Sequence, residues 1–303
     1  MLERPGSKRI SRPAFMVRRE RFGWAMVSPA MIFLIVMAAL PLVSIIIMST
    51  FRIDLSSPLD NGWIGLDNYR DILHDSRFWH SMWVTFVYTV STVILQVTIG
   101  LVLATAFFRS FKGQGILRVC VLLPTILAPV VVGLSFRTMI MSQQYGILDY
   151  ASILFGFGSQ PWLTDRYFAL ISVIIIHTWQ WTPFAFLVFL ASLHSMPLEP
   201  IEAALLDTRS TWQRFRHVIL PMIRPAIVIV IIFRTTVALR AFAAIFSATG
   251  GGPGTATEIL NLYAYRESFD SLNLGYGASL GTVLLVITVV ISLIFFRLRR
   301  SKA

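Results

Sequence analysis

Residues 193–224 read LHSMPLEPIEAALLDTRSTWQRFRHVILPMIR, a polar, proline-bracketed stretch set between two long apolar runs. Pro200 can start a helix, and Ile201, Ala204 and Leu205 are spaced to share one face of it. Trp212, Phe215, Val218 and Ile219 repeat at helical spacing in a second segment, which Pro221 is expected to end. Two short amphipathic helices outside the membrane thus interrupt a chain of membrane-length apolar segments. Arg214 and Arg216 could face anionic lipid, as could Arg209. Glu199, Glu202 and Asp207 weaken that reading, and the mixed charge suits docking to a cytoplasmic partner better.

Outward from this loop, about 20 predominantly apolar residues are needed per crossing. Six stretches meet that requirement: 24–48, 82–108, 119–141, 169–193, 226–246 and 276–296. Of the 303 residues 56% are hydrophobic and 14% charged, against about 25% charged in ordinary soluble domains. The first stretch is too long for a signal-peptide core and no small-residue cleavage site follows it, so it is expected to stay in the mature protein. Because irregular backbone cannot face lipid, the spans are read as helices, kinked at Pro41, Pro124, Pro129 and Pro183. The fold class is all-α: a polytopic membrane protein with six transmembrane helices. Its parts are a basic N-terminal segment at 1–23, a membrane domain at 24–298 that carries the loop at 194–224, and a basic tail at 299–303.

The net charge of +11 could signal nucleic-acid binding, but its placement says otherwise. Lys and Arg gather seven before the first span, three at 109–118, four at 209–224 and four at 297–302. The opposite loops hold five: Arg52, Arg70, Arg77, Arg166 and Arg266. The positive-inside rule therefore places both termini in the cytoplasm, and the charge is a topology signal with no nucleic-acid partner.

Gln96, His177, Gln180, Arg234 and Arg240 are costly in hydrocarbon, so they face the bundle interior or a water-filled path. Each either makes a structural interhelical hydrogen bond or lines that path. Trp179, Gln180 and Trp181 offer the ring stacking and hydrogen bonding that sugars take. The chain contains no GxxxxGK[ST], HExxH or GxSxG motif and no pair of carboxylates within a span, so it holds no P-loop, catalytic set or metal set of its own. A lone Cys120 offers no disulfide. An ion-coupled secondary transporter, working through the Arg and His groups, is the alternative class. The absence of acidic residues from the spans opposes it, since carboxylates usually carry coupling protons or sodium.

Glu202, Ala203, Ala204, Asp207, Trp212, Gln213, Phe215, Leu220, Pro221 and Pro225 fall on the pattern EAAxxDGAsxwqxFxxIxLPxxxP. With PWL at 161–163, WQWTPF at 179–184, Phe233 followed by Arg234, and TGGGPGTATEIL at 249–260, the chain resembles the integral membrane subunits of binding-protein-dependent ABC importers. The likeness covers roughly residues 20–298 and is greatest to carbohydrate permeases of the first maltose or glycerol-phosphate type.

The resemblance implies a type I importer permease fold in the bacterial inner membrane, serving a small polar solute such as a sugar or polyol derivative. It implies a coupling helix that enters a groove on a cytoplasmic ATPase, formed here by Glu202, Ala203, Ala204, Asp207, Thr208, Trp212, Phe215, Leu220 and Pro221. The implied partners are a second permease, two ATPase copies that use ATP and Mg, and an external solute-binding protein docking near residues 250–253. Substrate-path candidates are Gln96, Trp179, Gln180, Trp181, Arg234 and Arg240. Two departures stand out. Thr208 and Arg209 replace the family's glycine and alanine, and a positive φ at 208 would cost a β-branched residue on the order of 1 kcal/mol or more. Ala243 follows Phe242 where an acidic residue is common.

Overall fold

The computed structural model describes residues 14–197, 199–208 and 210–300. The basic residues Arg4, Lys8, Arg9, Arg12, Arg209 and Lys302 lie outside the described residues. Four expected crossings are single helices: α1 (Ala14–Met48), α3 (Ser76–Ala106), α7 (Arg166–His194) and α13 (Leu274–Arg300). Between α1 and α3 the chain makes a cap from a two-stranded antiparallel hairpin, β1 (Phe51–Arg52) with β2 (Gly62–Trp63), and a short helix α2 (Asp67–His74). Buried Asn68 holds the cap to the end of α1, its Nδ2 donating to the Ser49 and Phe51 carbonyls.

The expected crossing at 119–141 is not one rod. It is a bent pair, α4 (Gln114–Ile126) and α5 (Pro129–Ser135) with a π turn to Ile140, whose axes meet at 101°. The cause is local: Pro129 supplies no N–H and its ring pushes the preceding residue out of the helical region, so Ala128 sits at ψ 136°. A short helix α6 (Ile147–Leu154) then leads to α7, which runs unbroken through Pro183.

After α7 come α8 (Glu199–Asp207) and α9 (Thr211–Arg214), then a π turn (Phe215–Ile219) and α10 (Leu220–Leu239). Pro221 does not end the second segment. Helix continues from Thr211 to Leu239, because the proline falls in the first turn of α10 directly after the wider π turn, where its missing N–H costs little. The expected crossing at 226–246 stops early instead. Backbone at Arg240–Phe242 leaves the helix, and α11 (Ala243–Ala248) is separate. Asn261 Nδ2 compensates by donating to the Arg240 and Ala241 carbonyls freed by the break. Asn261 lies in the first turn of α12 (Leu260–Tyr265), which passes through a π turn (Arg266–Asp270) before α13.

The core lies between α3 and α7, with α10 against both. One contact sets their spacing: a Cβ on Gly100 of α3 would lie 2.7 Å from Ala185 Cβ and 3.0 Å from Phe186 N. Small residues at such crossings let helix backbones approach in a medium where hydrophobicity gives no drive. Gly100→Val should therefore wedge α3 from α7 and destabilise the protein by about 1–3 kcal/mol, read as a lowered unfolding temperature in detergent. An unchanged melting curve would show that the crossing tolerates the extra bulk.

Candidate functional site

Fourteen positions into α10, roughly 21 Å along its axis at 1.5 Å per residue, Arg234 is 2% exposed. Its Nε donates to Gln96 Oε1 of α3 at 2.6 Å, and its Nη2 lies 3.2 Å from His177 Nε2 of α7. A guanidinium has no acceptor, so the imidazole nitrogen accepts. Gln96 Nε2 in turn donates to the His177 carbonyl at 3.4 Å. The guanidinium lies 4.9 Å from the ring centre of Trp181, a cation–π contact that replaces hydration with an aromatic face. Three crossing helices thus converge on one charge. Tyr88 of α3, fully buried, packs against the His177 ring at 5.3 Å, and its hydroxyl has no partner among the described residues.

Gln180, one turn from His177, faces the break in the bent crossing. Its Nε2 donates to the Leu127 carbonyl at 3.0 Å, while its own carbonyl accepts from the Thr125 hydroxyl. The interruption by Pro129 thereby finds the backbone partners it lacks in lipid. Gln180 Oε1 remains buried and, among the described residues, unpaired. Beside it a cavity of about 260 Å³ is lined by His177, Gln180, Trp181, Arg240, Phe242 and Ala243. Arg240 is exposed there, with Nε donating to the Thr236 carbonyl of its own helix. Trp179 does not join this group. Two residues on a helix are rotated by about 200°, and Trp179 points away, 40% exposed, with its ring against Phe136.

The α8–α9 elbow is held to the bundle by its inner face. Ala204 is 7% exposed, and Ile201, Phe215 and Ile219 line a cleft of about 260 Å³ with Phe108 and Leu193. The outer face presents apolar side chains: Leu206 is 90% and Trp212 66% exposed, the indole stacking on Phe215. Glu202, Ala203 and Pro221 are also exposed, Leu220 is half-buried, and Asp207 closes α8. Thr208 escapes the strain expected of it. The described non-glycine residues with positive φ are Gln144 and Leu272, and Thr208 is not among them. Its hydroxyl donates to Gln213 Oε1 and accepts from Ser210 N, its carbonyl accepts from Arg214 Nη1, and Ser210 caps α9 through Gln213 N.

At the opposite end the loop 249–259 is clamped by charge. Glu258, with no exposed side chain, accepts from Arg77 Nε and Nη2 at 2.8 and 2.9 Å and from Arg266 Nη1 at 2.7 Å. Arg77 Nη1 also reaches Glu267 at 3.1 Å and the guanidinium lies over the Tyr263 ring. Asp75 completes the network: burial raises its carboxyl, but hydroxyls of Tyr263 and Tyr276 and the N–H groups of Arg77 and Phe78 outweigh that and hold it below its usual range. Burial first, then the Asp75 bond, push the Tyr263 hydroxyl upward, so it remains a donor. The glycines serve this packing: Gly251 has φ +93° and leaves room for Leu262, whose Cδ2 would lie 2.8 Å from an added Cβ. Arg77 lies 181 positions from Glu258, which is why inspection of the chain missed the network.

A helical membrane bundle with a polar interior node, an amphipathic elbow at one end and a clamped loop at the other defines the membrane subunit of a transport system. The chain belongs to the family of binding-protein-dependent transport system inner membrane components, whose model matches residues 96–302. It is 33% identical over 301 residues to the trehalose transport system permease SugA of Mycobacterium tuberculosis, covering 99% of this chain and 96% of that one. It is 32% identical over 289 residues to the trehalose/maltose transport system permease MalF of Thermococcus litoralis, with 94% and 96% covered. A chain of the crystal structure of a bacterial alginate ABC transporter, in complex with an alginate pentasaccharide-bound periplasmic protein, superposes with TM-score 0.82 at 19% identity, covering 96% of this chain and 98% of that one. The chain is a multi-pass membrane protein with the type I permease fold.

Arg234→Met removes the donor shared by Gln96 and His177 and should cost about 2–4 kcal/mol by leaving buried polar atoms unpaired, measured by thermal unfolding. Glu258→Gln should release the glycine-rich loop, seen as faster amide exchange across 249–266 with the central cluster unaffected.

Proposed function

We propose that this chain forms one half of the passage of an ATP-driven importer for a sugar or polyol derivative, the other half coming from a second, similar permease. An external solute-binding protein delivers the cargo at the end closed by the Glu258 clamp. Two copies of a cytoplasmic ATPase, using ATP and Mg, grip the α8–α9 elbow at the other end, and both termini lie on that cytoplasmic side. The trehalose and maltose named for the relatives support a carbohydrate cargo, and the cavity beside Trp181 and the Arg240 guanidinium supplies the aromatic and hydrogen-bonding chemistry that such a cargo needs.

One observation carries the coupling reading: the elbow buries Ala204 inward while leaving Leu206 and Trp212 largely exposed on its outer side, with Phe215 the one aromatic ring stacked on Trp212 among the described residues. Exposed large apolar side chains flanked by Glu202 and Arg216 fit a protein groove, in which buried aromatic anchors contribute most of the binding energy. Leu206→Asp with Trp212→Ala should lower solute uptake by about tenfold or more, since each lost anchor costs about 2 kcal/mol, with the amount of chain in the membrane unchanged. A photocrosslinker at Trp212 that captures phospholipid and no ATPase would sink the coupling role.

A further inference from the structure

Helix α6 is amphipathic the wrong way round for a helix packed on a soluble core, which would bury its apolar stripe. Here the polar side is inside. Asp149 is 0% exposed and Ser152 9% exposed. The segment satisfies them itself: Asp149 accepts from Gln144 N, Ser159 Oγ and Gln160 N at 2.7–2.8 Å, and Ser152 Oγ donates to the Gly158 carbonyl. The apolar side is outside. Ile147, Tyr150 and Leu154 share a stripe at 68%, 68% and 71% exposure, and Phe155 and Phe157 extend it at 75% each.

We infer that α6 and the turn after it form an interfacial anchor, embedded through this stripe in the lipid at the end of the bundle opposite the elbow. Two observations choose lipid over a protein. Between Arg137 and Asp165 the sole charged residue is Asp149, which is buried, so the segment exposes no charge at all. The exposed polar residues beside the stripe, Gln143, Gln144 and Ser159, are all uncharged, and the membrane interface collects tyrosine, phenylalanine and leucine. A similar surface follows in the chain: α7, which begins at Arg166 after α6 ends at Leu154 and is long and apolar enough to cross a membrane, exposes Tyr167, Ile171 and Ile175 at helical spacing. Folding the single carboxylate inward, with every donor supplied locally, is what makes immersion affordable. The anchor differs from the usual basic surface helix in lacking Lys and Arg, so its depth is independent of lipid charge.

The test uses the full chain, co-expressed with its partner subunits, in nanodiscs of phosphatidylcholine alone and of phosphatidylcholine with phosphatidylglycerol. In a Cys120→Ser background, nitroxide labels are placed at Leu154→Cys and Phe155→Cys, with Asp60→Cys in the exposed cap as the water reference. Labels at 154 and 155 should collide with dissolved oxygen several-fold more than with a water-soluble nickel complex, the label at 60 should show the reverse, and the two lipid mixtures should agree. Nickel access at 155 equal to that at 60 would place the stripe in water, and shielding from both reagents would place it against a protein. Either result overturns the anchor. If one variant misfolds, a label at Tyr150→Cys on the same stripe takes its place.

Discussion

A guanidinium in the middle of a membrane protein must find partners for its donors, and Arg234 finds them on two other helices at once. That requirement organises the bundle. Gln96 of α3, His177 and Trp181 of α7 and Arg234 of α10 can meet only if the three helices keep one rotation and one depth. Gly100 then admits the close approach that this geometry demands. Gln180, one turn further along α7, is consequently aimed at the bent crossing, where it occupies the Leu127 carbonyl that Pro129 leaves without a helical partner. The cavity beside it is the space left where two crossings, the bent pair and the shortened α10, both give up regular helix.

The same helices link the two ends. From the elbow, helix runs without interruption through the π turn and Pro221 to Arg234 and on to Leu239. On the proposed reading, a force applied at Trp212 is delivered along a rigid element to the charged node, and α7, which enters the elbow from the other side, carries His177 and Trp181 with it. The far end is held differently. There, Glu258 between Arg77 and Arg266 ties the glycine loop to the start of α3, so the loop's position follows α3. Such a pair is partly exposed, Arg77 by 37%, and its strength is correspondingly below that of a fully buried ion pair.

Local chemistry was legible from the chain wherever a single segment determined the outcome. Six apolar runs led to a helical protein of six crossings, because crossing length is a property of consecutive residues, and the EAA-type loop carried the resemblance to the permease family. Gln96, His177, Gln180, Arg234 and Arg240 were singled out for the cost of polar groups in hydrocarbon; Gln96, His177 and Arg234 meet in one cluster, and His177, Gln180 and Arg240 line the cavity beside Trp181. Trp179 was grouped with its neighbours by proximity in sequence, and helical rotation separates it.

What the tertiary structure alone decided is how broken helix is paid back. Whether Pro129 kinks a crossing or folds it through 101°, and whether the fifth crossing ends at Leu239 or Phe246, depends on Gln180 and Asn261 being within reach of the freed carbonyls. The turn at Thr208 likewise follows from Gln213 and Arg214 closing on it. The pairing of Arg77 with Glu258 spans 181 positions and has no signature in either segment. Hydrophobic length is written along the chain, but a hydrogen-bond partner is a matter of which helices face each other, and only packing sets that.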